Sequence, residues 1–403
     1  MAYKNLFKPI KIGSVEVKNR VVLGPMALND AFPPGFPSEQ TKAFYAARAK
    51  GGVGLIILGG TFSTKLGWDT NTFPGAYRMD NGDSFASMSE LVERVHAFGA
   101  KIFVQFMPCL GRQGSSRRTG VQPVSCTAEA FVSPEEAWPE GLRFPGGMVG
   151  ELPRELTISE IEALEDESAN SALRVKAAGF DGMEIPCHHG YLILSFLSPR
   201  INKRTDSYGG TLENRMRHLL NSLRKTREKV GPDFPLGVRL CANEHVEGGL
   251  SCQDCVEVAK ILEKEGADFI HLADGVIESH QYVNPEKEGA LLDHGEPQAF
   301  KKALRIPVIT PSIHDPDVAE AAVSHRNTDM IASARQMLAD AEWANKVREG
   351  RIKDIRRCDR DGWCSVKLYF GLPVRCKINP DLGRERYMPE YFQPPFQLDK
   401  PAP

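Results

Sequence analysis

Eight short runs of apolar, largely β-branched residues recur along this chain, with stretches of helical spacing between them: VVLGPMA (21–27), GLIILGG (54–60), IFVQF (102–106), GMEIP (182–186), LGVRLC (236–241), FIHLAD (269–274), PVITPS (307–312) and DMIASAR (329–335). Strands that are apolar at nearly every position are buried on both faces, as in a parallel sheet covered by helices. Their alternation with helices is the pattern of repeated βα units. Helical candidates include SEQTKAFYAARAKGG, ISEIEALEDESANSALRVKAAGF, TLENRMRHLLNSLRKTREKVG and DCVEVAKILEKEGAD. In the second of these, Ser159 followed by Glu162 reads as a capping box. Eight units predict an α/β fold of the (β/α)₈ TIM-barrel type. A doubly wound open sheet is the alternative, but the Gly-rich fingerprint of a dinucleotide-binding first turn is missing after the first strand.

Composition narrows the function classes. A length of 403 residues suits two ordinary domains or one large barrel. Lys+Arg number 50 against Asp+Glu 52, a net charge of −2, which gives no overall reason to bind nucleic acid or an anionic membrane. No apolar run approaches the roughly 20 residues of a membrane span, and the start MAYKNLFKPIKIG lacks a secretory apolar core, so a cytoplasmic location is expected. Nine cysteines are an odd number and too sparse for a disulfide scaffold. The expected division is a barrel over residues 1–355 and a tail over 356–403. Residues 109–150, rich in Gly, Pro, Ser and aromatics, read as a long capping loop after the third strand. The terminal PEYFQPPFQLDKPAP is expected to wrap the surface or to lack fixed structure.

Barrel active sites lie at the C-terminal ends of the strands. There the sequence places Gln105, the run Cys187-His188-His189-Gly190-Tyr191, Arg239, His280 and Arg335. Two arginines and an amide suit a ligand with a phosphate and a polar heterocycle. Either arginine alone would equally serve to neutralise a carboxylate on a neighbouring loop. Adjacent residues on an extended segment point in opposite directions, so at most one of His188 and His189 should face a given ligand. No third ligand with metal-site spacing accompanies them. Tyr191, taken alone, reads as a core aromatic. The pair Cys252 and Cys255 opens a helix without a thioredoxin-like context, so its spacing reads as coincidence. Cys358, Cys364 and Cys376 could begin an iron–sulfur site, but such clusters usually take four cysteines.

The segment EIPCHHGYLILSFLSPRINKRTDSYGGTLENRMR (184–217) resembles the signature of the Old Yellow Enzyme family of FMN-dependent oxidoreductases. LFKPIKIGSVEVKNRVVLGPM, Gln105 with Gly111-Arg112, GVRL…EGGLS around Arg239, and IASARQMLADAEWANKVREG extend the resemblance over about residues 4–380. It implies a barrel holding one FMN across its mouth. Pro25, Met26 and Ala27 would lie along the flavin ring, Gly60 would approach it through backbone, and Gln105 and Arg239 would hold its pyrimidine side. Ser312, Ala334 and Arg335 would face the phosphate. Many family members carry Cys or Thr where this chain has Ala27. A fixed charge at Arg239 would stabilise the reduced ring. The chemistry implied is hydride delivery to the β-carbon of an electron-poor alkene, with Tyr191 giving the proton. Donors to the substrate carbonyl oxygen should contribute about 3–4 kcal/mol each. Of the family's H-x-x-[HN] donor pair, the first position is Pro186 and only His189 remains.

The stretch QFMPCLGR (105–112) is one residue longer than in simple ene-reductases and resembles the branch with 2-enoate, 2,4-dienoyl-CoA and bile-acid enoyl reductases. That branch carries a C-x2-C-x3-C-x11-C cluster motif before a further FAD and nicotinamide domain. Here Cys364 and Cys376 keep the last spacing, while the first two positions fall on Arg357 and Arg360 with Cys358 out of register. The expectation is a degenerate motif without a cluster, no FAD/NAD(P) domain, reduction by NAD(P)H or by an electron-donor protein, and an assembly of like subunits. In dienoyl-CoA reductase relatives a histidine after strand six assists the tyrosine, a role His280 would take beside Tyr191. A bulky cyclic enoyl or CoA-thioester substrate is expected, with Arg112, Arg117 and Arg118 meeting nucleotide phosphates and His188 lining the substrate space. A solvated role for those arginines stays open. The rival readings are a simple enone or enoate reductase, an amine demethylase or dehydrogenase on the same barrel, and a flavin-binding barrel without catalysis.

Overall fold

The computed structural model describes residues 3–388; the Pro-rich terminal segment lies outside the described residues. Eight strands form the barrel: β1 Val21–Leu23, β2 Leu55–Phe62, β3 Lys101–Met107, β4 Gly182–Cys187, β5 Leu236–Cys241, β6 Ile270–Ala273, β7 Val308–Pro311 and β8 Met330–Ala332. Each pairs in parallel with the next, and β8 returns to β1 through Ile331 opposite Val21. The ring is closed, which excludes the open sheet.

Alternation along each strand explains why the runs are apolar throughout. Val22, Leu55, Ile57, Phe103, Phe269, Ile309 and Met330 fill the barrel interior together with Ile12 and Val17 of an N-terminal hairpin. Val21, Leu23, Ile56, Leu58, Ile102 and Val104 face the surrounding helices. Two glycines make room for the interior rings. A Cβ at Gly182 would stand 2.8 Å from Phe103, and one at Gly237 would stand 2.4 Å from Phe269.

The main barrel helices are α1 Glu39–Lys50, α2 Phe85–His96, α3 Ile158–Ala177, α4 Leu212–Val230, α5 Cys252–Lys264, α6 Glu296–Ala303, α7 Pro316–Ser324 and α8 Trp343–Arg348. The box that opens α3 is Thr157 with Glu160, not Ser159 with Glu162. Starting there turns Ile161 and Leu164 into the core and lets Glu160 also hold Arg154 at 2.7 Å. Cys252 and Cys255 lie in the first turns of α5, which is capped by Ser251 and Asp254.

The loop after β3 is an ordered cap with two short strand pairings, Val132–Ser133 with Met148–Val149 and Val124–Ser125 with Arg154–Glu155. The described part of the tail is not a separate unit. Its helix α9, Trp363–Tyr369, sits over the barrel mouth. Beyond it the chain is fixed by Val374 N–H donating to the Leu28 carbonyl (2.9 Å), Asn379 donating to the Leu338 carbonyl (2.8 Å) and a fully buried Arg48–Glu385 ion pair (2.5 Å). Residues 356–388 thus pack against the barrel. No helix of the described residues is long and apolar enough to cross a membrane.

Candidate active site

Four adjacent strands carry a polar layer at the C-terminal end of the barrel. Register sets Glu184 of β4 opposite Gln105 of β3, and Arg239 of β5 opposite His271 of β6. Glu184 is completely buried; one carboxylate oxygen accepts from Gln105 Nε2 (2.7 Å) and the other lies 2.9 Å from His271 Nδ1. Arg239 stands beside Glu184, and burial lowers its pKa against the pull of that carboxylate. Burial also holds His271 below the usual imidazole range. Glu184 and His271 were not singled out in the sequence. Their signal was present: a carboxylate and an imidazole in the middle of apolar strand runs are costly to bury unless partnered.

Pro25, Met26 and Ala27 run past the end of β1. Gly59 and Gly60 press against them where β2 shifts register between Leu58 and Thr61. A Cβ at Gly59 would stand 2.5 Å from the Met26 nitrogen, and Gly60 has φ +67°, so the close approach demands glycine at both. At the far end, Ser312 follows β7 with φ +64°, and Ala334 caps the short helix begun by Arg335. Arg335 and Arg360 both donate to the Pro285 carbonyl, at 3.1 and 3.0 Å, and Arg360 also donates to the Ser312 carbonyl (3.1 Å) and pairs with Glu288. Two guanidinium groups thus gather at this end. Arg360 occupies a position where the resemblance led one to look for a cluster cysteine, and Arg357, the other, pairs with Asp315 on the surface (2.8 Å). Cys364 lines the cavity here, its thiol pushed up to about 11 by burial, and Cys358 accepts from the Arg360 N–H through sulfur.

His188, His189 and Tyr191 converge on the same space. The alternation rule does not hold for the two histidines: both line the cavity, with ring centroids 4.3 Å apart. The strand ends at Cys187, and His189 (φ +53°) and Gly190 (φ +80°) turn the chain so that successive side chains share a side. Burial, reinforced by Arg239, keeps both imidazoles neutral, well below their ordinary pKa. Burial raises the Tyr191 phenol, so it stays protonated.

Opposite them, His280 stacks on Trp138 (4.0 Å between centroids), and its Nε2 lies 2.9 Å from the Tyr369 hydroxyl of α9. Burial, then Arg335, takes His280 down to about 3. Tyr369 and Trp138 escaped the sequence reading because they meet His280 only through the folding of distant segments.

All of Pro25, Met26, Ala27, Gly60, Gln105, Arg239, Ser312, Ala334 and Arg335 line one cavity with His188, His189, Tyr191 and His280. A second channel adjoins it through Phe73, Leu110, Tyr191, Leu368 and Tyr369 and passes Arg117 and Arg118. Arg112 is not brought to either space. Its side chain is 1 % exposed and pairs with Glu278 at 2.9 Å, which pins the β3 loop to the loop after β6. Arg118 lies over the Trp68 ring and donates to the Trp68 carbonyl.

A parallel barrel whose mouth pairs such a polar layer with a doubly cationic far end defines a flavin-type oxidoreductase site. The sequence matches the NADH:flavin oxidoreductase / NADH oxidase family over residues 5–354, and the chain belongs to that family. It is 38 % identical over 98 % of its length to an NADH oxidase of Thermoanaerobacter brockii, covering 59 % of that protein. It is 35 % identical over 95 % of its length to a cinnamate reductase of Clostridium sporogenes strain PA 3679, again covering 59 %. Among solved structures, a 2-naphthoyl-CoA reductase in complex with 2-naphthoyl-CoA superposes with a TM-score of 0.86 at 31 % identity, over 95 % of this chain and 58 % of that one. The chain thus spans about three fifths of the length of these relatives.

Membership implies FMN, and the residues present fit it. Arg239 Nε and both ring nitrogens of His188 are buried without a hydrogen-bond partner among the described residues, as is Nδ1 of His314, which lines the same cavity. Buried donors and acceptors of this kind call for a polar ligand.

Proposed function

We propose that the protein is an FMN-dependent reductase of a carbon–carbon double bond conjugated to a carbonyl or thioester, with NAD(P)H as electron donor. The observation that carries this reading is the position of Tyr191, a protonated phenol at the junction of the flavin-type cavity and the channel beside it. Bound FMN would supply hydride to the alkene carbon β to the carbonyl.

The chain's own residues supply the rest. Gln105, Arg239 and the Pro25–Ala27 turn would hold the ring, and Arg335 with Arg360 and Ser312 the phosphate. Tyr191 gives its proton to the α-carbon. A neutral imidazole at His189 can donate one hydrogen bond to the substrate oxygen, where charge builds, and its main chain is fixed by Gln113 Nε2 donating to the His189 carbonyl (2.6 Å). His188 lines the wall beside it. His280 acts as a positioning residue through Tyr369, whose hydroxyl it holds toward the same space.

The channel favours a bulky acyl or aryl group. Phe73, Leu110 and Leu368 make its inner walls apolar, and Arg117 and Arg118 stand farther out where the phosphates of a CoA thioester would lie. The likeness to the 2-naphthoyl-CoA reductase supports this class. Arg112 is withdrawn from the substrate set because it is sealed under Glu278.

The test is to photoreduce the flavin anaerobically and present cyclic enones, cinnamate-type enoates, enoyl-CoA and aryl-CoA thioesters in turn. Fastest reoxidation by a cyclic or aryl thioester supports the reading. Equal rates with simple enones would remove the thioester, and reduction of the oxidised flavin by amines, with none by NADH or NADPH, would replace the reductase by an oxidative amine enzyme.

A further inference from the structure

Beside the loop that carries His280, where His245 stacks on Tyr282, lies a second cluster none of whose members lines the cavity. His245 follows β5, Asp274 follows β6, and His294 and Glu296 flank Gly295. One donor atom from each of the four lies within 4.8 Å of all the others. The separations include 2.9 Å from His245 Nε2 to Asp274 Oδ1, 3.9 Å to Glu296 Oε1, and 3.8 Å from His294 Nδ1 to Glu296 Oε2. Bonds of about 2.0–2.1 Å in a tetrahedral site set ligand atoms about 3.3 Å apart, so small side-chain rotations close these four onto one ion.

The local backbone is arranged for this convergence. Gly295 takes φ +88° and breaks the chain between the short helix Ala290–His294 and α6, which brings His294 and Glu296 to one side. His245 adopts φ +51°, and its ring stacks on Tyr282 at 3.7 Å between centroids with planes 5° apart, which fixes its orientation. The carboxylates are 2 % and 4 % exposed at Asp274 and Glu296, and each keeps one buried oxygen without a hydrogen-bond partner. Two buried carboxylates with unused oxygens cost free energy that a shared cation removes. His294, 40 % exposed, gives an ion access from solvent.

We infer that His245, Asp274, His294 and Glu296 form a site for one divalent cation of the zinc class. Two imidazole nitrogens exclude the all-oxygen preference of calcium and magnesium, and four protein ligands make a closed, structural site rather than a catalytic one. Its role follows from topology. Asp274 and His294 stand at the two ends of the segment 275–293, which holds His280 at the cavity and offers the Pro285 carbonyl to Arg335 and Arg360. A bound ion would close that segment into a loop and tie it to the turn after β5.

The experiment uses FMN-loaded protein, stripped with chelator and titrated with Zn²⁺ against a chromophoric competitor. The expected result is one tight zinc per chain, a higher melting temperature with Zn²⁺ but not with Mg²⁺, and slower amide exchange across 275–293. His245→Ala/His294→Ala should weaken zinc by more than the ~10–100-fold that loss of an outer-shell partner costs. Glu296→Gln, which preserves size, should weaken it too, so the result does not hang on one variant's folding. Co²⁺ in place of zinc should show no thiolate-to-metal charge-transfer band. Failure to bind zinc, or zinc unaffected by both variants, would overturn the site. Zinc lost instead on replacing Cys358, Cys364 and Cys376 with Ser would move it to the tail and overturn it equally.

Discussion

Gln105, Glu184, Arg239 and His271 stand on four hydrogen-bonded strands at fixed register, whereas Trp138, His280 and Tyr369 across the mouth come from three segments far apart in the chain. The strand wall is held by the barrel itself. The opposite roof is held by loop-to-loop contacts: a small apolar cluster of Phe131, Trp138, Leu142 and Ile277 against Tyr369, the pairs Arg112 with Glu278 and Arg360 with Glu288, and the His280–Tyr369 hydrogen bond. The contrast assigns tasks. A wall that cannot shift suits a cofactor that every turnover reuses, and a roof built on loops can be reshaped for a different substrate without disturbing the barrel.

Tyr191 stands where wall and roof meet, and its loss should have the largest effect. Tyr191→Phe is expected to lower turnover by about 10²–10⁴-fold, the usual range for a lost general acid, while reduction of the flavin by NAD(P)H proceeds at the same rate. Stopped-flow measurement of the two half-reactions separates them. Equal slowing of both would mean that Tyr191 belongs to the cofactor wall instead.

The roof can be loosened without touching the cavity. Arg112→Met leaves Glu278, 5 % exposed, with only Arg200 at 3.2 Å, and should cost about 3 kcal/mol in denaturant unfolding. Because the β3 loop then keeps only weaker ties to the loop after β6, such as the Ser133 hydroxyl on the Ile277 carbonyl, KM should rise more than kcat falls. The wall variant Arg239→Met should do the reverse. Losing hydrogen bonds from a charged donor, about 1.5–3 kcal/mol, should weaken FMN binding by about 10–150-fold with little change in KM for the substrate. Equilibrium dialysis of FMN against the two variants tests the assignment directly.

Much of the wall was legible because strand ends are where a barrel keeps its chemistry, and Gln105 and Arg239 were read in that way. Glu184 and His271 show where the reading stopped: each was taken as part of an apolar run, and its polarity was passed over. The expectation that at most one of His188 and His189 faces a given ligand carried an alternation rule two residues past the end of β4, into a turn with positive φ at His189. The roof was largely illegible. Nothing in the local sequence around Arg112 names Glu278 as its partner, and nothing around His280 points to Tyr369, which lies 89 residues away. The tail cysteines were read against a cluster motif, while the arginine that replaces one of its positions, Arg360, bonds the Ser312 and Pro285 carbonyls beside the cavity.

The smallest expected effect concerns pH, and it distinguishes the roof histidine from an acid–base catalyst that titrates near neutrality. His280 falls from 6.5 to about 3 on folding because burial and Arg335 disfavour its charged form. Between those values the unfolded chain binds a proton that the folded chain refuses. The contribution of His280 to stability is therefore fully present above about pH 6.5 and is lost progressively as pH falls toward 3. His280→Asn should give a shallower loss of stability with acid in denaturant melts at pH 4–7, with the wild-type and variant curves farthest apart near neutrality and drawing together toward pH 4. His188 and His189 shift in the same direction, so no histidine of the cavity should contribute a limb to the rate profile between about pH 6 and 8. A bell-shaped profile centred there and abolished by His280→Asn would show that this imidazole takes up a proton during turnover, and the roof would then be catalytic.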